Sequence, residues 1–536
     1  MGFVALLHLA AGAGLAVAAW LMPRHIARCR TGHPAALLLD MAPLGLGALL
    51  LAFAAGRPLF AGLIILMLGA GFTLADYTMR RTLREPTVFS EMSELPQVFT
   101  HPQLYLPFAG PGLVIGGAVA TVLVALALLV VEPPLWAPRP LTGLTATALI
   151  GVGGWLLGRE PLLGMTAGLM RRLRPSGEPF ADAEALGPFG MIIVHAIIAR
   201  GERRARQQAM APPPLPATST AIRRRVREPA VPVILVQCES FFDARRLSPQ
   251  IPRALLAGFD ACVAEAALHG RFGVPGWGAN TMRAEFAVLS GIPDSELGYD
   301  RFNPYYALAR VPIESQVWRL RRAGYKTMCL HPFDRRFFRR DLAMPGLGFE
   351  EFLCRRDLGG PRRPPYCPDP ELGEQILKTL DREGPGSFIF AITMGNHGPW
   401  LPDGPPIDSE VAAMCAAAAL PEDGELRRYL DGLRRSDAML QLLRDGLDRR
   451  GLPAVLAFYG DHLPSLGNAF GHFGFEELDS DYVVWPAAGV PAQRRDLKAH
   501  ELGRLIVDAV LGVPAAAASA VGAQPAVDLG ACLALR

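Results

Sequence analysis

The sequence carries little charge and almost no net charge for its length. Charged residues make up 19% of the 536 residues, and acidic and basic side chains nearly balance, which leaves a formal net charge of +3. Proteins that bind nucleic acid through its phosphates usually present a clear basic excess. The composition therefore gives no support for a nucleic-acid partner.

Cysteines are also few, and their spacing is irregular. None of the eight cysteines forms a C-x-x-C pair, which argues against a structural zinc finger. Cys329, Cys354 and Cys367 lie close enough in sequence for two of them to pair in an oxidising compartment. The alternative, that all three are small buried core residues, is equally compatible with the sequence.

Apolar residues are abundant, at 51% of the chain, and the longest apolar runs fall in the first 158 residues. Five runs each approach the ~20 residues that span ~30 Å of hydrocarbon: 3–22, 35–55, 59–75, 108–131 and 141–157. The first run lacks a preceding basic segment and further runs follow it, so we predict a membrane span rather than a cleaved signal peptide. Residues 1–158 are predicted to form a transmembrane domain of about five helices.

Two aspartates lie in or beside these runs. Asp40 falls within the second run, and we expect it to face the bundle interior because a charge in hydrocarbon is costly. Asp76 follows the third run, where solvation at a helix end is the favoured interpretation. The connection at residues 77–107 is too polar to cross a membrane, so it is predicted to be a linker.

From residue 159 the composition becomes polar. Apolar residues at helical spacing over 186–200 predict an amphipathic helix that lies along the membrane surface. The arginine-rich stretches at 203–206 and 223–227 suit lipid headgroups better than RNA. Prolines at 211–216 predict a semi-rigid spacer. Residues 159–228 are therefore predicted to be a juxtamembrane segment.

Short apolar runs alternate with helical patterns over residues 229–515. The predicted strands are 231–237, 325–330, 388–393, 454–459 and 482–485, and the helical patterns include 313–323 and 426–450. This alternation favours an α/β domain with a largely parallel sheet covered on both faces. Ligands bind beyond the carboxyl ends of such strands. Residues 516–536 remain as a C-terminal tail.

Acidic and imidazole side chains follow three of the predicted strands. Glu239 follows the first strand, His397 the third, and Asp461 with His462 the fourth. Each group alone is common at a strand end. At one edge of one sheet, however, the two carboxylates and an imidazole form a ligand set that suits Mn²⁺, Mg²⁺ or Zn²⁺.

A glycine-rich segment at 275–280 leads into a predicted helix that begins near Thr281. Taken alone, a hydroxyl in this position is best interpreted as a helix N-cap. Beside a divalent ion the same hydroxyl would be a nucleophile, because coordination lowers its pKa.

Five motifs, in order over more than 200 residues, resemble those of the lipoteichoic acid synthase/phosphoglycerol transferase family of the alkaline phosphatase superfamily. They are Glu239-Ser240-Phe241-Phe242, Asn280-Thr281-x-x-x-Glu285-Phe286, His331, Asn396-His397-x-Pro399 and Gly460-Asp461-His462. The five preceding spans also match the layout of that family. The resemblance implies an α/β catalytic domain of the alkaline phosphatase/sulfatase type behind a five-helix transmembrane bundle.

The resemblance also implies a metal site and a nucleophile. Glu239, Thr281, Asp461 and His462 would bind one divalent ion, Mn²⁺ before Mg²⁺ or Zn²⁺, and Thr281 would attack the substrate.

For the substrate pocket, the resemblance implies that His397 holds the phosphate. The residues that contact the phosphoglycerol group in the family correspond to His331, Phe338 and Arg340. Phe338 replaces the tryptophan of the family, so it keeps an apolar wall but lacks the indole donor. Arg340 has an alternative interpretation as one of four arginines on a solvated face.

The implied activity is transfer of glycerophosphate from phosphatidylglycerol to an extracytoplasmic glycan or polymer, through a phospho-threonine intermediate. A phosphoethanolamine transferase remains open because the sequence does not define the headgroup pocket. A sulfatase-like hydrolase is disfavoured because no C/S-x-P-x-R run lies near Thr281. The alternatives of another class are a non-catalytic membrane scaffold that binds polysaccharide, against which the complete ligand set argues, and a transporter.

The resemblance implies a multi-pass protein of the bacterial inner membrane with its catalytic domain on the periplasmic side. In this orientation Arg24, Arg28 and Arg30 would face outward. The positive-inside rule therefore argues for the opposite orientation. We favour the orientation of the family, since its donor lipid and acceptors are extracytoplasmic.

Overall fold

The computed structural model describes residues 3–30, 32–213, 231–308, 311–359, 361, 366–486 and 492–513. The chain divides into two compact units. The first unit is Met1–Ala205 with Gly298–Phe302, and the second is Arg206–Leu297 with Asn303–Arg536. The predicted tail at 516–536, and the predicted spacer beyond residue 213, lie outside the described residues.

The first unit is helical, and its five long apolar helices confirm the predicted spans. These helices are Phe3–Ile26, Pro34–Ala55, Pro58–Thr82, Pro111–Val131 and Pro140–Leu157. Four of them begin at a proline. Proline lacks an N–H, but N–H groups in the first turn have no acceptor within the helix, so no helical hydrogen bond is lost. The other helices of this part of the chain are Glu91–Thr100, Pro102–Ala109, Leu162–Arg171, Pro179–Leu186 and Pro188–Ala209.

Small residues bring the first and third spans into backbone contact. A Cβ added to Gly62 would lie 2.4 Å from the Gly12 carbonyl oxygen, and one added to Gly69 would lie 2.6 Å from that of Ala19. Close approach through small side chains is the usual way in which helices associate in lipid, where burial of apolar surface gives little driving force.

Asp76 is not solvated at a helix end, so that prediction was wrong. Its helix continues to Thr82, and the Asp76 carboxylate is buried. It accepts hydrogen bonds from Arg80 Nε at 2.6 Å and from Thr87 N at 2.7 Å. Part of the predicted linker that follows is helical, from Glu91 to Ala109.

Asp40 is buried, as predicted, and it connects three helices. Its carboxylate accepts hydrogen bonds from Trp20 Nε1 at 2.8 Å and Arg24 Nη1 at 2.6 Å. It also accepts bonds from the backbone N–H groups of Phe189 and Gly190, at 2.9 and 3.2 Å. Asp40 therefore satisfies exposed donors at the N-terminus of the helix Pro188–Ala209.

The predicted amphipathic helix at 186–200 lies in the second of two helices, Pro179–Leu186 and Pro188–Ala209, which have a 118° bend between them. Met191, Val194 and Ile198 of the second helix are buried within the first unit. Much of its apolar face is therefore used for packing against protein.

The second unit is built on a nine-stranded sheet in the order β4-β3-β5-β1-β6-β7-β2-β8, with β9 paired to β2. Only β7 runs antiparallel to its neighbours, β6 and β2. The strands are β1 Val233–Cys238, β2 Leu268–Gly273, β3 Lys326–His331, β4 Glu351–Cys354, β5 Ser387–Ile392, β6 Val455–Gly460, β7 Ser480–Trp485, β8 Gln493–Arg494 and β9 Leu497–Lys498.

Both faces of this sheet are covered, as predicted for an α/β domain. Along β1, Ile234 and Val236 belong to one hydrophobic cluster and Val233 and Leu235 to the other. The α-helices of the unit are Ala257–Ala264, Thr281–Ser290, Asp294–Leu297, Pro304–Leu308, Gln316–Arg322, Arg340–Leu347, Arg355–Leu358, Asp369–Glu383, Ser409–Ala417, Gly424–Arg450, Gly467–Phe473 and Ala499–Val510.

The three closely spaced cysteines are core residues. Cys329, Cys354 and Cys367 are buried free thiols. The disulfide alternative is therefore not realised among them.

The register of the central strands aligns their carboxyl ends. Cys238 of β1 pairs with Gly460 of β6, and Gln237 of β1 pairs with Ile392 of β5. The residues that follow these strands, Glu239, Asp461 and Thr393, therefore emerge at one edge of the sheet.

Gly460 permits this alignment because no side chain fits there. A Cβ at Gly460 would lie 1.8 Å from the Phe241 carbonyl oxygen. We expect Gly460→Ala to destabilise the second unit by about 3 kcal/mol, since a backbone atom cannot move away easily. Thermal unfolding of the full chain in detergent, followed by circular dichroism, measures this loss.

The matched control is Gly471→Ala, in the helix Gly467–Phe473, where an added Cβ would meet nothing within 4 Å. We expect that change to leave the unfolding midpoint unchanged or slightly higher, because alanine favours a helix. Equal midpoints for the two variants would contradict the assignment of Gly460 as a close-approach position.

Candidate active site

Two carboxylates and an imidazole meet where β1 and β6 end. Ligand atoms of Glu239, Asp461 and His462 all lie within 4.8 Å of one another, and all three residues are buried. His462 Nε2 is 3.5 Å from Glu239 Oε1 and 3.3 Å from Asp461 Oδ2. The structure thus brings together three of the four predicted metal ligands.

Thr281 is the fourth, and it begins the helix Thr281–Ser290. Its hydroxyl oxygen lies 3.4 Å from His462 Nε2. Asn280, the residue before it, has a left-handed backbone with φ of 70° and provides no side-chain cap for the helix. The hydroxyl is therefore placed at a free helix N-terminus, where the field of the helix favours negative charge.

The hydrogen bonds of His462 leave a lone pair facing the cluster. Its Nδ1 lies 3.0 Å from the Leu463 carbonyl oxygen, which can only accept a hydrogen bond. Nδ1 therefore carries the proton, and Nε2 presents its lone pair to the carboxylates. This is the tautomer that metal-ligating histidines adopt.

One carboxylate oxygen of Asp461 accepts hydrogen bonds and the other has no partner among the described residues. Its Oδ1 accepts hydrogen bonds from Ser240 N at 2.9 Å and from His462 N at 3.0 Å. Its Oδ2 is buried and has no hydrogen-bond partner among the described residues. A buried carboxylate oxygen without a partner is costly unless a cation fills the position.

Glu239 is buried beside a second carboxylate. Burial, followed by the nearby Asp461 carboxylate, raises the pKa of Glu239 to about 8. Thr393 Oγ1 accepts a hydrogen bond from Glu239 N at 3.0 Å, and Ser240 Oγ donates one to Glu239 Oε1 at 2.9 Å. The first bond fixes the main chain at Glu239, and the second holds its carboxylate without neutralising it.

The four residues fit one divalent ion. The distances from His462 Nε2 to Glu239, Asp461 and Thr281 are 3.5, 3.3 and 3.4 Å. Four ligands placed about 2.1 Å from one ion in a tetrahedron lie about 3.4 Å apart. Together with the unpaired Asp461 oxygen, these distances support a metal site at this edge.

Beside the cluster, Arg340 is fully buried and paired with Glu285. Arg340 Nη2 lies 2.7 Å from Glu285 Oε2, and its Nε lies 3.0 Å from Glu285 Oε1. The interpretation of Arg340 as part of a solvated face is therefore wrong. Glu285 lies one turn after Thr281 on the same helix, so the ion pair connects Arg340 to the predicted nucleophile.

The same ion pair extends to His331. Arg340 Nη1 lies 3.2 Å from His331 Nε2, while His331 Nδ1 lies 3.3 Å from the Ile392 carbonyl oxygen. Burial, followed by the charge of Arg340, lowers the pKa of His331 well below its usual value. His331 is therefore neutral and accepts a hydrogen bond from the arginine.

Phe338 and His397, the remaining predicted pocket residues, lie nearby. The Arg340 guanidinium is 5.3 Å from the centre of the Phe338 ring. His397 is held by a 2.6 Å contact from Nδ1 to the Gly398 carbonyl oxygen, and burial lowers its pKa. The charge of Asp461 partly offsets this lowering of the His397 pKa.

The sequence patterns assigned no role to several residues that the site uses. Glu285 was part of a quoted motif, yet its ion pair depends on a contact 55 residues away. Tyr305 Oη and Gln237 Nε2 also donate hydrogen bonds to Glu285, at 2.7 and 3.1 Å. Tyr366 lies close enough for the Glu239 charge to act on its pKa, and its buried hydroxyl has no partner among the described residues.

A threonine hydroxyl at a helix N-terminus, beside a carboxylate–imidazole cluster on a mostly parallel sheet, is the arrangement expected of a sulfatase-like enzyme of the alkaline phosphatase superfamily. Comparison with known families supports this classification. The chain belongs to the sulfatase family, whose profile matches residues 233–503. The superfamily resemblance predicted from the five motifs is thereby confirmed.

One curated relative and two solved structures are similar to this chain. The capsular polysaccharide biosynthesis protein RkpI of Rhizobium meliloti (strain 1021) is 31% identical over 444 residues, 81% of this chain and 78% of that protein. The integral membrane lipooligosaccharide phosphoethanolamine transferase A of Neisseria meningitidis is 17% identical, with a TM-score of 0.50, and the similarity covers 95% of this chain and 94% of that one. The lipoteichoic acid synthase LtaP of Listeria monocytogenes is 18% identical, with a TM-score of 0.43, over 58% of this chain and 81% of that one.

The unpaired Asp461 oxygen leads to a prediction about metal binding. Asp461→Asn keeps the acceptor that Ser240 N and His462 N require, but removes the negative charge. We expect divalent-metal affinity to fall by more than the 10- to 100-fold typical of residues outside the ligand shell. Titration of the metal-free full chain with Mn²⁺, read by electron paramagnetic resonance, measures this affinity.

Asp479→Asn is the matched control, because that carboxylate is exposed and does not belong to the cluster. It should bind Mn²⁺ as the unchanged protein does. Retention of full affinity by Asp461→Asn would contradict the assignment of Asp461 as a ligand.

A second prediction concerns the Glu285–Arg340 pair. Glu285→Gln keeps the shape of the side chain but leaves a buried guanidinium without its counter-charge. We expect a loss of about 3 kcal/mol in stability. The exposed pair of Glu374 and Lys378 provides the control, since Glu374→Gln should change stability by less than about 0.5 kcal/mol. Chemical denaturation of both variants in detergent tests the difference, and equal losses would contradict a buried ion pair.

Proposed function

We propose that this protein is a membrane-bound phosphoglycerol transferase that uses Thr281 as its nucleophile. The observation that carries the proposal is the Thr281 hydroxyl, 3.4 Å from His462 Nε2 and within the cluster of Glu239, Asp461 and His462. A hydroxyl so placed is suited to attack a phosphorus atom. The five candidate membrane spans are consistent with a lipid donor.

The first step would transfer the headgroup of phosphatidylglycerol to the enzyme. Thr281 Oγ1 forms a bond to phosphorus, the phosphorus–oxygen bond to diacylglycerol breaks, and diacylglycerol leaves with the proton of the hydroxyl. A glycerophospho-threonine remains. A divalent ion held by Glu239, Asp461, His462 and Thr281 would supply charge neutralisation and a lower pKa for the attacking hydroxyl.

The second step would pass the glycerophosphate to an acceptor hydroxyl. The acceptor oxygen forms the new bond to phosphorus, and Thr281 leaves with the acceptor proton, which restores the enzyme. The helix N-terminus at Thr281 provides backbone donors for the phosphate oxygens in both steps. His397 would bind the same oxygens through Nε2–H as an imidazolium, because its Nδ1 is directed to the Gly398 carbonyl oxygen.

The charges beside the nucleophile favour a neutral headgroup. An ethanolamine ammonium would need a carboxylate with free acceptors, but Glu285 is already bound by Arg340, Tyr305 and Gln237. A glycerol group can instead use hydroxyl and imidazole partners. The Tyr366 hydroxyl, which has no partner among the described residues, and the His331–Arg340 pair would provide such partners for glycerol. Phe338 would provide the apolar wall of the pocket.

A glycan is the acceptor that the relatives favour. RkpI, whose similarity covers 81% of this chain, is named for capsular polysaccharide biosynthesis. A catalytic unit on the periplasmic side of the inner membrane would meet both the donor lipid and such a glycan. We therefore propose an extracytoplasmic polysaccharide or glucan as the acceptor and Mn²⁺ as the metal.

The test is release of diacylglycerol from fluorescent phosphatidylglycerol by the purified full chain, with and without Mn²⁺. We expect metal-dependent release that Thr281→Ala reduces by at least about 10³-fold, because nucleophile loss removes the covalent route. Thr379→Ala is the control, since its hydroxyl bonds only to the Gln375 carbonyl in a helix. Mass spectrometry of the quenched enzyme should find glycerophosphate on the peptide that contains Thr281.

Other outcomes would redirect the proposal. Release from phosphatidylethanolamine but not from phosphatidylglycerol would make the protein a phosphoethanolamine transferase. Hydrolysis of an aryl sulfate alone would make it a sulfatase-like hydrolase. A folded, metal-loaded protein that acts on none of these substrates would favour a scaffold that binds polysaccharide.

A further inference from the structure

The first unit contains an apolar groove of about 580 Å³, and none of its lining residues belongs to the cluster of Glu239, Asp461 and His462. One wall is the start of the second span, and the other is the end of the helix Leu162–Arg171 with the residues that follow it. Its apolar lining includes Leu38, Leu39, Ala42, Leu169, Met170 and Leu173. The volume falls in the range of about 300–1,000 Å³ usual for small-molecule sites.

The floor of the groove is firmly packed. Met170 is buried in a cluster with Ala36, Leu186, Val194 and Ile198, and Leu39 and Leu173 pack against that cluster. The groove is therefore formed by fixed walls rather than by two loosely placed helices. Leu38, which also lines the groove, is in contrast 62% exposed.

The depth of the groove matches one leaflet of a membrane. His33 lies at its mouth, and Ala42 lies eight positions beyond Pro34, where the second span begins. Eight residues of α-helix rise roughly 12 Å, which is close to half of the ~30 Å hydrocarbon thickness. An acyl chain that enters at the interface would therefore remain along apolar side chains for most of one leaflet.

The mouth of the groove is basic. Arg172 is exposed and lines the groove, and in the described part of the chain neither Arg172 nor Arg174 forms an ion pair with a carboxylate. The neighbouring Arg171 does pair, with Glu202 at 2.9 Å. A guanidinium at the membrane interface that is free to pair attracts phosphate groups of anionic lipids.

The groove opens on the side of the membrane from which the chain enters the second unit. Residue 33 follows one span, and residues 162–173 follow five. Since both numbers are odd, these residues lie on the same side, and it is the side on which the fifth span ends. A lipid in this groove belongs to the leaflet that faces the proposed transferase chemistry.

We propose that this groove binds one acyl chain of an anionic glycerophospholipid, with the lipid phosphate at Arg172. The identity of this lipid as a waiting donor rests on the proposed function. The binding itself does not, because it depends only on the apolar walls and the basic mouth of the groove.

The experiment counts the phospholipids that the full chain retains when it is released from nanodiscs of equal phosphatidylglycerol and phosphatidylcholine into native mass spectrometry. We expect the unchanged protein to retain one phosphatidylglycerol in preference to phosphatidylcholine. Arg172→Ala should reduce this preference by about fivefold, as expected for the loss of one interfacial charge. Arg172→Lys should restore it.

Leu38→Trp fills the groove from its exposed side and should abolish retention of either lipid. The control is Leu123→Trp, which makes the same change at a leucine that is also 62% exposed, on the span Pro111–Val131. Leu123→Trp should retain phosphatidylglycerol fully, and thermal unfolding checks that both variants fold.

Two results would overturn the inference. One is retention that shows no preference for phosphatidylglycerol, and the other is retention that Leu38→Trp leaves unchanged. Thr281→Ala separates this test from that of the proposed function, because it should retain lipid while losing turnover. Lipid retention without any turnover would refute the transferase and leave the groove assignment standing. Turnover without groove-dependent retention would refute the groove assignment and leave the transferase standing.

Discussion

Two carboxylates held together in a buried site are the constraint on which the catalytic unit depends. Burial, and then the charge of Asp461, raises the pKa of Glu239, and the ends of β1 and β6 hold the two carboxylates together against this cost. Backbone N–H groups reinforce this arrangement, since Ser240 N donates to Asp461. Parallel pairing, the close approach at Gly460 and the metal site are therefore parts of one structural requirement.

A buried ion pair connects that site to its surroundings. Glu285 lies one helical turn after Thr281 and holds Arg340, which in turn contacts His331 at the end of β3. A shift of the helix that begins at Thr281 would strain this network, because the hydrogen-bond partners Gln237, Tyr305 and His331 are buried. The pair thus fixes the position of the helix N-terminus relative to the strand ends more rigidly than apolar packing alone would.

The sequence predicted the central part of the fold but not its edges. The strands β1, β3, β5, β6 and β7 are apolar runs, because each is buried on both faces. β2 contains His269, Gly270 and Arg271 and is only partly buried, so it gives no such signal. Three of the candidate metal ligands, Glu239, Asp461 and His462, were predictable because they directly follow strands. The partners of Arg340 were not, since they depend on contacts across the sheet. The burial of Asp76 was not predicted because its partners, Arg80 and Thr87, lie beyond the apolar run at 59–75.

The three imidazoles near the site share one form of support. His331, His397 and His462 each direct Nδ1 to a carbonyl oxygen of the main chain, those of Ile392, Gly398 and Leu463. A main-chain carbonyl is present whatever side chain its residue carries. Substitution of Ile392, Gly398 or Leu463 would therefore leave the carbonyl that fixes each tautomer in place. Neighbouring residues can diverge to suit new acceptors or headgroups while all three rings continue to present the same nitrogen, which gives the site unusual freedom to evolve.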